Sequence, residues 1–146
     1  MHIADIPPAI EKRQDAMAAY VDEKIYVIGG YQDNTFRASG EVYDIEGKTW
    51  GSICPMSMPR YQAGVAVLNK KIFICGGWDG TGCAVTTVQV YDIPLDFWSF
   101  VAPLPTPYTV RCSHLLFPRE ALKKISEEAA KKDKKRTRNK SQSDST

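Results

Sequence analysis

The chain says the same thing twice. Arg13, an apolar run from Ala16 to Val21, a turn at Asp22-Glu23, a second run from Ile25 to Ile28, Gly29-Gly30, Tyr43-Asp44 and Trp50 come first. They return as Arg60, Ala63 to Leu68, Asn69-Lys70, Ile72 to Cys75, Gly76-Gly77, Tyr91-Asp92 and Trp98. The offset is 47 residues from Arg13 to Arg60 and from Gly29 to Gly76, and 48 from Tyr43 to Tyr91 and from Trp50 to Trp98. One extra loop residue in the second copy accounts for the step. A period near 50 marks a stack of like supersecondary units, each too small to bury its own faces. Within a unit the strands carry few polar residues on either face, as suits a sheet sandwiched between neighbours. In the first copy a third strand is predicted over Glu41 to Ile45 and an outer strand over Thr49 to Cys54, with Glu46-Gly47-Lys48 as their turn.

A double glycine, a tyrosine 13 to 14 residues later and a tryptophan seven after that resemble kelch repeats. The resemblance covers roughly residues 5 to 117, and two in-register copies make it specific. It implies an all-β fold: a partial kelch β-propeller of two four-stranded blades plus a closing strand, with a basic helical to disordered C-terminal tail. The expected divisions are 1–12 as the end of a preceding blade and its link, 13–54 and 55–102 as the repeats, 103–118 as the closing strand and 119–146 as the tail. In the BTB-kelch type the C-terminal segment returns as the innermost strand of the first blade. The strand expected over Val110 to Phe117 has no double glycine or tyrosine after it, and it resembles that clasp. Ile6-Pro7 is read as the counterpart of Met58-Pro59, despite a difference in spacing. Two blades are too few for a ring of four to eight. The favoured reading is a piece of a longer propeller; assembly of several copies and a truncated product are the alternatives.

The net charge of +2 conceals an asymmetry. Residues 1–118 hold 9 Lys/Arg against 12 Asp/Glu, and residues 119–146 hold 10 against 5. After Pro118, residues Ala121, Leu122, Ile125 and Ala129 fall on one helical face, with Glu-to-Lys pairs four apart. Lys131 to Lys140 is a basic run, read as a solvated tail, with nuclear import, or nonspecific contact with nucleic acid or an acidic partner, as alternatives. No apolar run reaches the length of a membrane span, and the first residues lack a basic start and apolar core. The expected location is cytoplasmic, nuclear through 131–140 being the alternative. Four cysteines without a Cys-x-x-Cys or zinc spacing fit a reducing compartment. Cys75 and Cys112 are expected to be buried, Cys54 to lie at a strand end and Cys83 to be exposed.

Nothing points to catalysis. The two histidines, His2 and His114, lie far apart in sequence, and no nucleophile–base arrangement stands out. Asp44 and Asp92 recur at equivalent positions and are read as turn-formers. The glycine pairs match no phosphate-binding pattern; with Tyr43, Trp50, Tyr91 and Trp98 they are the structural signature, the tryptophans packing between blades. No metal, cofactor, membrane or specific nucleic-acid partner is expected. The resemblance implies a protein partner, recognised as in substrate adaptors of cullin-based ubiquitin ligases, a role that also needs BTB and BACK domains this chain lacks. An actin-associated cytoskeletal protein and a product without stable independent function are the alternatives. Contacts are expected from loops on one rim: Tyr31, Gln32, Asp33, Asn34 and Arg37 after the first glycine pair, and Trp78, Asp79 and Thr81 after the second. Arg60 and Tyr61 lead into an innermost strand, as do Arg13, Gln14, Tyr108 and Arg111. Arg13 and Arg60 are repeat-equivalent, which leaves a structural role equally open for them. Tyr31 and Trp78 either wedge their loops or anchor a partner.

Overall fold

A computed structural model describes residues 6–107. Two four-stranded antiparallel sheets dominate it. The first contains β1 (Met17–Val21), β2 (Lys24–Ile28), β5 (Gly40–Asp44) and β6 (Thr49–Ile53) in that spatial order. Between β2 and β5 a small hairpin, β3 (Tyr31–Gln32) and β4 (Thr35–Phe36), stands apart as its own ladder. The second large sheet contains β7 (Gly64–Leu68), β8 (Lys71–Cys75), β9 (Val88–Asp92) and β10 (Phe97–Val101), again in sequence order. Each sheet is one blade of a partial all-β propeller. β3 and β4 correct one expectation: the segment after the first glycine pair, expected to be a loop, holds a short hairpin. The tail, most of the closing strand, and with them Tyr108, Arg111, Cys112 and His114 lie outside the described residues.

Local chemistry sets the ladders. Asp22 and Glu23 both have positive φ, as do Asn69 and Lys70; two successive residues of that kind make the turn whose twist matches a right-handed hairpin. It fixes the register Val21↔Lys24 through Met17↔Ile28 in one blade and Leu68↔Lys71 through Gly64↔Cys75 in the other. Asp33 and Asn34 repeat the device in the small hairpin. Asp44 accepts a hydrogen bond from the Gly47 amide and pairs with Lys24, and Asp92 pairs with Lys71 at the equivalent place.

The register also decides which face packs. Met17, Ala19 and Val21 share a side with Tyr26 and Ile28, and this side meets Val65, Ile72, Ile74, Tyr91 and Trp98 of the second blade. Met56 and Ala63, from the connection between blades, complete the cluster. Ile72 is fully buried and Ile28 and Ile74 are each 1% exposed, and each such side chain contributes roughly 1.5–3 kcal/mol by leaving water. Tyr20, on the other side of β1, is 57% exposed.

The tryptophans link each blade to what precedes it. Trp98 donates its indole N–H to the Cys54 carbonyl at 2.7 Å, and the Cys54 amide donates to Asp96 at 2.8 Å. Trp50 donates to the Pro7 carbonyl at 2.8 Å. Pro7 lies 47 residues before Cys54, so the first described residues occupy against blade one the place that the exit of β6 occupies against blade two. This replaces the expected match of Ile6-Pro7 with Met58-Pro59: the hydrogen bonds align Pro7 with Cys54.

Candidate protein-contact rim

Two kinds of segment meet at one end of the blades: the loop after each glycine pair, and the short stretch between each signature arginine and its innermost strand. They are tied within each blade. Gln14 and Tyr31 exchange backbone hydrogen bonds at 2.8 and 3.0 Å. Tyr61 and Trp78, each 47 residues on, do the same at 3.2 and 2.9 Å. Blade is then tied to blade. The Gly30 amide donates to the Arg60 carbonyl at 2.8 Å, and the Gln62 amide to the Asp15 carbonyl at 3.2 Å. The Gln62 side-chain amide donates to the Asp15 carboxylate at 2.8 Å. Gly29 and Gly30 have positive φ, and a Cβ on Gly29 would stand 2.2 Å from the Arg60 carbonyl oxygen, so only glycine lets the chain pass there.

The result is an aromatic cluster shared by the two blades. Tyr61, from the second blade's leading segment, stacks on Phe36 of the first blade's hairpin with ring centroids 5.2 Å apart. It meets Tyr31 edge-on at 5.4 Å, and Tyr31 lies 6.0 Å from Phe36. Gly80 closes against Phe36. All three rings are half-buried. The hairpin turn carries exposed Asp33 and Asn34, with Gln32 donating to Asp33. In the second loop Asp79 accepts from the Thr81 amide and hydroxyl and from the Cys83 amide. Those bonds, the Thr81 hydroxyl first, hold its carboxyl below the usual range. Thr81 and Cys83 are exposed.

The sequence-derived contact residues divide. Tyr31, Gln32, Asp33, Asn34, Tyr61, Trp78, Asp79 and Thr81 belong to the segments that build this rim. Arg37 is half-buried and pairs with Glu11 at 3.2 Å. Arg60 does not present its side chain to solvent: it is 1% exposed and donates to the Gly76 carbonyl at 3.3 Å and the Thr87 hydroxyl at 2.8 Å. Arg13 makes the corresponding bonds one repeat earlier, to the Gly29 carbonyl and the Ser39 hydroxyl, and adds the Ser39 carbonyl and buried Glu41. A guanidinium that ties the glycine-pair carbonyl to the start of the third strand is a staple of the blade, and burial lowers the pKa of Arg60 without taking its charge from it. Phe36, Asp15 and Gln62 were not among the expected contacts. The signal for Phe36 was the Asp33-Asn34 dipeptide, a pair that tolerates positive φ between Tyr31 and Phe36; Asp15 and Gln62 left no local signal.

Among the described residues no three His, Cys, Asp or Glu side chains gather as a metal site, and no helix is long and apolar enough to cross a membrane. Cys75 is buried, which pushes its thiol up to about 12, while Cys83 is exposed.

The Kelch motif matches residues 13–56 and 59–105, one match per blade and more than half of the chain together. The chain belongs to the kelch-repeat family. Kelch-like protein 7 of Rattus norvegicus is 40% identical over 77 residues, 52% of this chain and 13% of the relative. Beta-scruin of Limulus polyphemus is 30% identical over 105 residues, 67% of this chain and 12% of the relative. Kelch-like protein 23 of Homo sapiens is 31% identical over 86 residues, 58% of this chain and 14% of the relative. The chain thus spans a small part of the length of these relatives. Kelch repeats are in general interaction modules, and the kelch-like and scruin relatives support that role here.

Proposed function

We propose that this kelch-repeat chain is a non-catalytic protein-binding module whose contact surface is the rim carrying Tyr31, Phe36 and Tyr61. The observation that carries the reading is the shared aromatic cluster. Its rings come from two blades, remain half-open to solvent, and rest on backbone bonds that hold them without a partner. Rigid aromatics on a scaffold bind at low entropic cost. Substrate recognition in a cullin-based ubiquitin ligase is the form of this function that kelch-like relatives suggest, and it would require domains supplied outside the present sequence. The likeness to beta-scruin favours a second form, a cytoskeletal role in binding actin filaments.

The test is affinity capture from cell extract, quantified by mass spectrometry, with wild type, Tyr61→Ala, Arg37→Ala and an outer-strand control, Ser52→Ala. Proteins held through the rim fall at least several-fold with Tyr61→Ala and stay with Ser52→Ala. Equal retention by Tyr61→Ala and Arg37→Ala would remove the rim assignment. Co-sedimentation with F-actin that survives Tyr61→Ala would instead favour the cytoskeletal form.

A further inference from the structure

The segments that carry the aromatic cluster also carry three acidic residues. Asp15 follows Gln14, whose backbone pairs with Tyr31. Asp33 is at the tip of the hairpin that carries Tyr31 and Phe36, and Asp79 follows Trp78, whose backbone pairs with Tyr61. Asp15 and Asp33 are exposed and Asp79 half-buried. Each accepts only neutral donors in the bonds described: Asp15 from Gln62, Asp33 from Gln32, Asp79 from Thr81 and Cys83. Among the described residues, the cations of the same segments make their hydrogen bonds and ion pairs elsewhere, and Arg60 reaches Asp79 only through space, as the weakest of the influences that lower its carboxyl. Arg13 and Arg60 are turned inward onto backbone, Ser39, Glu41 and Thr87, and Arg37 lies against Glu11. Lys12, exposed ahead of Arg13, is the remaining cation among the described residues of these segments.

From the proposed rim function, on which this step rests, we infer that the partner segment is basic: an extended peptide whose lysine or arginine side chains meet the aromatic rings and the three carboxylates. The two halves of the surface favour the same ligand. A guanidinium or ammonium is attracted to an aromatic face, and carboxylates placed around it raise the encounter rate and penalise acidic competitors. An acidic peptide would bring like charges against Asp15, Asp33 and Asp79 while finding Arg13 and Arg60 out of reach.

The test is to pan a displayed library of random twelve-residue peptides on the full chain in 0.15 M salt. Synthetic copies of the enriched peptides are then titrated against wild type, Tyr61→Ala and the triple variant Asp15→Asn/Asp33→Asn/Asp79→Asn. Asparagine keeps an acceptor at each position and tolerates the positive φ of Asp15 and Asp33, and an unchanged thermal midpoint verifies folding. The inference expects enriched peptides with net positive charge, affinity reduced roughly tenfold by the triple variant, and reduced further at 0.5 M salt. Neutral or acidic peptides that lose affinity with Tyr61→Ala but not with the triple variant would overturn the charge preference and leave the rim reading standing. Peptides indifferent to both variants, or no enrichment at all, would overturn both.

Discussion

Tyr91 and Tyr43 are the same residue in two repeats with different fates. The Tyr91 hydroxyl donates to Asp96 at 2.6 Å. Position 48, one repeat before Asp96, is a lysine, and the fully buried Tyr43 hydroxyl has no partner among the described residues. Both positions have positive φ, 54° at Lys48 and 46° at Asp96, a conformation aspartate enters more readily than lysine. Lys48→Asp is therefore expected to stabilise the chain by about 1 kcal/mol, the net worth of one buried hydrogen bond, less some repulsion from Asp44 and Glu46. Thermal unfolding should rise by a few degrees; a midpoint that falls would show that the second blade's geometry does not transfer. The side chains of Arg13 and Arg60 teach the same lesson from the other side. Their recurrence was visible in the sequence, but two arginines at one period are equally compatible with a binding rim and with a staple, and only burial separates the two.

At the scale of the element, the joint between β6 and β10 depends on a carboxylate. Asp96 receives the Tyr91 hydroxyl and the Cys54 amide, and these two bonds, the hydroxyl first, hold its carboxyl below the usual range. A carboxyl with a lower pKa folded than unfolded stabilises the fold above its unfolded value, about 3.9, and that contribution is lost as the pH falls through the folded value. Asp96→Asn keeps an acceptor but no charge. In urea melts it should be less stable than wild type from pH 7 to pH 5, with the gap closing below about pH 4. A gap that persists unchanged at the lowest pH would assign the effect to hydrogen-bond geometry instead. The main strands themselves were legible, because apolar runs, two-residue turns and glycine pairs are local signals. β3 and β4 were not, since two residues per strand give no periodicity.

At the scale of the whole molecule, the two blades share one core. Ile72, fully buried, faces the first blade from the second. Ile72→Ala leaves a cavity at that junction and is expected to cost about 2–5 kcal/mol. Because the cluster spans both sheets, amide exchange should accelerate together in β1–β2 and in β8–β9. Acceleration confined to β7–β10 would mean that the blades open independently. The rim belongs to this scale too. Tyr31 and Phe36 meet Tyr61 only because the first blade's face stacks on the second, which places a loop of one beside the leading segment of the other.

The sequence alone determined the repeat, the four strands of each blade, their turns and the need for glycine before each loop, because these depend on side-chain periodicity and on backbone conformations that few residues adopt. Tertiary structure decided the rest. It turned Arg60 inward, gave Pro7 the place of a preceding strand's exit, and assembled Tyr31, Phe36 and Tyr61 into one cluster. Those outcomes depend on which faces stack and how closely backbones approach, relations between residues far apart in the chain that no local pattern records.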